Sequence, residues 1–224
     1  AQQIHDFIPY LSGALAASNV AATKIMLPES QNWTDPQGLR LTTMNDPATA
    51  AMVSIIANHN YVANNNAGDQ NAPAAINNYG KALWETEVAK LSGSDSSISD
   101  GLYWAGRVHQ FLTIAQANAW HYWWLCAYGN GNEGLCDTSD VPAKRMYTLG
   151  NFSRFVRPGF YRIGVSNAGP LQISAYKNLT NNQFAIVAIN NTITNVEHAF
   201  NLSGFSVANV TPWLTSASAS LAAQ

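Results

Sequence analysis

A chain of 224 residues with 47% apolar side chains carries enough material to bury a core and fold as a globular protein. Only 11% of its residues are Asp, Glu, Lys or Arg, against roughly 25% in an average domain, and the formal net charge is −2. That neutral, amide-rich composition, with no basic run longer than Lys144-Arg145, argues against a nucleic-acid partner, and no apolar run reaches the roughly 20 residues of a membrane helix.

The first residues lack the basic-then-apolar layout of a signal peptide, so the sequence is expected to be already trimmed. Ile4, Phe7, Ile8, Leu11 and Leu15 recur at helical spacing, with Pro9 expected near a first turn. Four short apolar runs follow, Lys24–Leu27, Val53–Ala57, Ala82–Trp84 and Ala119–Leu125, and each reads as a buried parallel strand. Between the last two, Ser99-Asp100 supplies a cap for a helix that faces the core through Leu102, Ala105, Val108, His109, Leu112 and Ala115. Pro142 opens another helix through Met146, Leu149, Phe152 and Phe155. After Arg157-Pro158-Gly159 the pattern turns to period-two alternation, in Gln172–Tyr176, Phe184–Ile189 and His198–Leu202.

The expected fold is therefore α/β plus β: residues 1–157 form half of a (β/α)8 barrel, and residues 158–224 an antiparallel β-sandwich side domain, incomplete at its C-terminus. An eight-stranded barrel usually takes about 250 residues, and the four strands here account for half of one. Cys126 and Cys136 flank a short loop rich in Asn and Gly, which suits a disulfide in an oxidising compartment.

Reactive groups in such barrels sit at the C-terminal ends of the strands. Read in order, those ends are Pro28-Glu29, His59-Asn60-Tyr61, Glu85-Thr86-Glu87 and Trp123-Trp124. Carboxylates, a histidine, a tyrosine and tryptophans converging on one mouth compose a sugar site, in which aromatic faces stack on pyranose rings while carboxylates act as acid, base or nucleophile. Each residue taken alone has a plainer reading. Trp84, Trp123 and Trp124 could fill a core, His59 could serve only as a hydrogen-bonding neighbour, and Glu29 and Glu85 could orient the backbone. Glu85 is expected to face away from Glu87.

The stretch Leu83-Trp84-Glu85-Thr86-Glu87-Val88 resembles the nucleophile strand of glycoside hydrolase family thirty, the glucuronoxylanases and related β-glycanases. Further matches occur in the same order: Gln3-Ile4-His5-Asp6-Phe7, Leu27-Pro28-Glu29-Ser30, His59-Asn60-Tyr61, Asn118-Ala119-Trp120 with Trp123-Trp124, Phe152-Ser153-Arg154-Phe155-Val156-Arg157-Pro158-Gly159-Phe160, and Val187-Ala188-Ile189-Asn190. The resemblance implies the C-terminal portion of a retaining, secreted enzyme that cuts plant cell-wall β-glycan, foremost endo-β-1,4-xylan, with β-1,6-linked glucan or galactan behind it. No cofactor and no metal are implied. Carried over by position, Glu87 is the nucleophile, Tyr61 and Trp124 match sugar-stacking positions, and His59 and Tyr128 match residues beside them; Trp84 and Glu29 join the expected substrate-binding set from their place near the strand ends.

Two departures matter. Glucuronoxylan-specific relatives follow their Trp-Trp strand with a pair of arginines, where this chain has Leu125-Cys126-Ala127-Tyr128. The family's acid/base glutamate, in an Asn-Glu-Pro stretch, has no counterpart. Expected partners are thus a polysaccharide substrate together with an N-terminal half-barrel or a second copy of the chain. A non-catalytic glycan-binding half-barrel and a self-associating half-barrel unit are the alternatives.

Overall fold

The four apolar runs become four parallel strands in a single sheet. In the computed structural model, which describes residues 1–35, 37–61, 73, 76–127, 131–166 and 168–224, they are β1 (Ile25–Ser30), β2 (Val53–His59), β3 (Ala82–Glu87) and β4 (Ala119–Trp120). They are hydrogen-bonded in sequence order, β1-β2-β3-β4, each pair parallel. Helices α2 (Leu41–Asn45) and α3 (Pro47–Ala50) link β1 to β2, and α4 (Ile98–Thr113) links β3 to β4. Parallel strands in sequential order with helical crossovers make part of a barrel wall.

Helix α1 (Gln2–Ala17) precedes β1 and lays Ile4, Ile8, Leu11 and Leu15 against a core of Ile25, Leu27, Val53, Ile56, Leu83 and Phe111. Phe7, expected on that face, is exposed, and Pro9 lies well inside the helix rather than near its first turn. The cap of α4 is Ser97, two residues before the expected one, and its side chain accepts from the Asp100 backbone N–H. Strand β4 is much shorter than the predicted Ala119–Leu125. Past Trp120 the chain still runs beside β3, His121 N–H donating to the Glu85 carbonyl at 2.9 Å and Trp123 N–H to the Val88 carbonyl at 3.0 Å, before Trp124 N–H donates to Glu133 and Leu135 N–H to Trp124 in the loop beyond.

A second sheet is antiparallel, with β5 (Phe160–Ile163), β6 (Gln172–Asn178) and β7 (Phe184–Ile189) in that order. β6 and β7 match the alternating runs. His198–Leu202 forms no strand, and Phe200 and Leu202 remain exposed, because no described strand lies beside them to complete a ladder. The third place is taken by β5, which has no period-two signal and is held by its backbone register with β6. A small hairpin of β8 (Trp213–Leu214) and β9 (Ala222–Ala223) closes on α5 (Lys144–Ser153), with the Thr215 hydroxyl donating to Asn151 at 2.6 Å.

Helix α4 joins the two sheets. Phe111 enters the parallel-sheet core, while Ala105 and Val108 pack with Phe152, Tyr176, Val187 and Ile189. Its first turn is pinned to α5 by a buried ion pair, Arg145 Nη1 to Asp100 Oδ2 at 2.6 Å, and Lys90 Nζ reaches the other Asp100 oxygen at 3.1 Å. Close approach at this crossing requires Gly101, where an added Cβ would lie 3.1 Å from the Lys144 backbone carbon. No helix among the described residues is long and apolar enough to cross a membrane.

Removing one member of a buried pair leaves the other charge poorly compensated. Arg145→Met is expected to lower unfolding free energy by about 3 kcal/mol, and the double variant Arg145→Met/Asp100→Asn to recover part of that loss. Denaturant unfolding of the two variants checks this.

Candidate active site

Parallel pairing brings the strand ends side by side. His59 and Glu87 are register partners on β2 and β3, and Glu29 is the last residue but one of β1. The contacts continue past the last strand residues, with Asn60 N–H donating to the Glu87 carbonyl and Tyr61 N–H to the Gln31 carbonyl, both at 3.1 Å. Four chemically capable side chains therefore meet at one rim.

The Tyr61 hydroxyl donates to Glu87 Oε1 at 3.1 Å. Burial, reinforced by the charge and hydrogen bond of Glu87, pushes the Tyr61 phenol well above its ordinary range, so it remains a donor. His59 Nε2 lies 3.5 Å from Glu87 Oε2 and 3.1 Å from Glu29 Oε2. Burial alone would lower the His59 pKa, but the hydrogen bond to Glu29 and the charge of Glu87 outweigh it and raise it above the usual 6.5. Glu29 answers in the opposite sense. Burial pulls its carboxyl up, yet hydrogen bonds from His59 and Thr86 prevail and hold it below its usual value.

Glu87, Tyr61 and His59 line an open cleft of about 350 Å³ together with Gln31, Leu91 and Trp123. A larger hollow, about 670 Å³, opens beside Lys81 and Asn118 at the opposite ends of β3 and β4. The carboxylates and aromatic rings gather at the smaller one, at the strand ends where parallel α/β sheets carry their chemistry.

The remaining predicted residues are distributed less simply. Trp84 does not line the cleft: its ring rests on His121, centroids 5.8 Å apart. Trp124 is 40% exposed and stacks on Trp123 at 4.8 Å and 14°, and Trp123 forms the wall. Glu29 lies beside His59, at 3.1 Å, and is not among the residues lining the cleft. Tyr128 lies outside the described residues. Cys126 and Cys136 are free thiols, so the expected disulfide is not formed. The loop does bring their backbones into a bridge, but the side chains meet as hydrogen-bonded thiols, a contact that, with burial, pushes Cys126 up to about 12.

Glu85 corrects another expectation. Side chains two apart along a strand share a face, so alternation does not turn Glu85 away from Glu87. Their surroundings separate them instead. Glu85 is fully buried and accepts from the Trp33 indole N–H at 2.6 Å, whereas Glu87 opens to the cleft. Trp33, like Gln31 and Leu91, went unmarked in the sequence. Only its place shortly after β1 hinted that it could fold back over the strand ends. Trp33→Phe keeps most of the ring volume and removes the donor, so it is expected to cost about 1–2 kcal/mol of stability by denaturant unfolding.

No family model matches the chain. Among characterised proteins it is 31% identical, over 98% of its length, to the glucuronoxylanase XynC of Bacillus subtilis strain 168, and covers 50% of that protein. Among solved structures it resembles the glycoside hydrolase family 30 subfamily 8 xylanase Xyn30A of Clostridium acetobutylicum, with 32% identity, a TM-score of 0.77, and coverage of 100% of this chain and 54% of that one. A family 30 endoxylanase of Clostridium papyrosolvens C71 aligns with 26% identity and a TM-score of 0.75, over 92% of this chain and 51% of that one. The chain spans about half the length of the curated relatives it matches. Along its whole length, the chain is thus related to the xylanases of glycoside hydrolase family 30.

Proposed function

We propose that this chain carries the nucleophile half of a retaining xylanase site, with Glu87 as the attacking group and the proton donor supplied by polypeptide outside this sequence. The observation that carries the reading is the placement of Glu87: a carboxylate at the C-terminal end of a parallel strand, open to an aromatic-walled cleft, and held from two sides by Tyr61 and His59. In the first step a Glu87 oxygen bonds to the anomeric carbon as the glycosidic bond breaks and its oxygen takes a proton. In the second, water displaces Glu87 and gives a proton back to the same donor.

That donor must lie about 5–5.5 Å from the nucleophile and hold a proton near neutral pH. Neither nearby carboxyl group suits the task. Glu29 is kept ionised by Thr86 and His59, and Glu85 is enclosed with Trp33 away from solvent. The stacked Trp123-Trp124 pair offers an apolar face to a xylose ring. A polymeric substrate is too large to be taken up whole, so the reading puts the protein outside the cell, where its resemblance also points.

Losing general acid catalysis typically costs about 10²–10⁴-fold, and least for a leaving group that departs without a proton. The chain alone is therefore expected to be nearly inert on xylan, to retain more of its rate on an activated aryl xyloside, and to gain xylan cleavage when mixed with the front half of a family 30 relative. Glu87→Gln should abolish both activities. Efficient xylan cleavage by the chain alone would refute the missing donor, and unchanged activity in Glu87→Gln would refute the nucleophile.

Trp124 is followed by Leu125, Cys126 and Ala127, which offer no cation to a glucuronate branch. Recognition of a carboxylate by arginine is bidentate and strong, and nothing of that kind stands here. In the reassembled enzyme, initial rates on unbranched linear xylan are expected to match those on glucuronoxylan; a strict requirement for the branch would contradict this.

A further inference from the structure

His59 Nε2 stands between two carboxylates, one belonging to the proposed nucleophile and one that the proposed chemistry does not use. The unused one is firmly placed. The Thr86 hydroxyl lies 2.9 and 3.0 Å from the two oxygens of Glu29 and 3.2 Å from the Asn58 carbonyl, which ties β1 to β3 across β2. Glu29 also adopts φ +58°, a left-handed conformation uncommon outside glycine, asparagine and aspartate and tolerated where the surroundings impose it. With Thr86 and His59 already on its oxygens, Glu29 is poorly placed to be a sugar ligand.

We propose that Glu29 is a positioning residue: it holds His59 as an imidazolium against Glu87, so that the attacking carboxylate keeps one orientation between His59 and Tyr61. The inference rests on Glu87 being the nucleophile. Among the described residues, the charged and titratable groups around His59 are Glu29 from β1, Glu87 from β3 and Tyr61 beyond β2, while His121, following β4, acts on Glu29. Two anions facing one ring favour its charged form. Without Glu29, His59 loses its hydrogen-bonded anion while its burial persists, so the cation gives way to the neutral ring at lower pH. A property that depends on the cation then loses its alkaline limb earlier.

Two measurements on the full chain test this. The first is an NMR titration of the His59 ring, assigned by the signal lost in His59→Gln. The second is the pH profile of Glu87 labelling by a 2-deoxy-2-fluoro-xyloside of 2,4-dinitrophenol, read by intact mass. In the labelling step a Glu87 oxygen bonds to the anomeric carbon and dinitrophenolate leaves with the bonding pair, so no proton donor is needed. Glu29→Gln is expected to shift the His59 midpoint downward and to move the alkaline limb of labelling with it. Glu29→Asp, which keeps the charge and tolerates the positive φ, should restore part of both. Should Glu29→Gln fail to fold, Glu29→Asn removes the same charge in a residue suited to that backbone. An unmoved midpoint and limb in a folded, uncharged variant would overturn the proposal. Absence of any adduct on the wild-type chain would instead overturn Glu87 as the nucleophile.

Discussion

The buried guanidinium of Arg145 is the contact through which most of this structure is connected. It reaches the Asp100 carboxylate at the first turn of α4, the Asp95 carbonyl just before that helix, and the Gly134 carbonyl at 2.7 Å. These partners come from two parts of the chain, the start of α4 and the loop that follows β4. Fixing Asp100 sets α4 against α5, and α4 is the helix whose two faces close the parallel-sheet core and the antiparallel-sheet core. Fixing Gly134 sets the loop whose neighbours, Glu133 and Leu135, exchange backbone hydrogen bonds with Trp124. An added Cβ at Gly134 would fall 2.2 Å from the Ala127 nitrogen, so the loop can pack there only without a side chain. A single buried charge thus acts on the cleft's aromatic wall from a distance, by holding the loop that the Trp123-Trp124 pair leans on.

How far the sequence revealed this depends on the kind of force involved. Strands β1, β2 and β3 and helices α1, α4 and α5 were legible because burial drives them and leaves a periodic apolar pattern. Strand ends were legible as chemistry because parallel pairing brings residues such as His59 and Glu87 together whatever their neighbours are. Features set by polar contacts between distant residues were not. Trp33 donating to Glu85, and Thr86 gripping Glu29, join positions 52 and 57 residues apart and leave no local trace. β5 was missed for a related reason, since its register comes from the β6 backbone and not from alternation of its own side chains. His198–Leu202 shows the converse: alternation proposes a strand, but a strand also needs a partner edge.

Three glutamates near the rim show how environment assigns roles to one side chain type. Glu85 sits where an indole donor and full burial make it part of the fold's interior. Glu29 sits on a strained backbone where a hydroxyl and an imidazole occupy its oxygens, which makes it a fixed anion. Glu87 lines the cleft and has one oxygen beside Tyr61 and the other beside His59. A nucleophilic carboxylate needs both access and support, because an anion fully wrapped in donors is stable but inert, and one free in solvent has no preferred line of attack. Tyr61 and His59 each hold one oxygen of Glu87 and line the same cleft as that carboxylate. On the proposed retaining reading, the partner acid has to reach the glycosidic oxygen across the cleft that Glu87, Tyr61 and His59 line together.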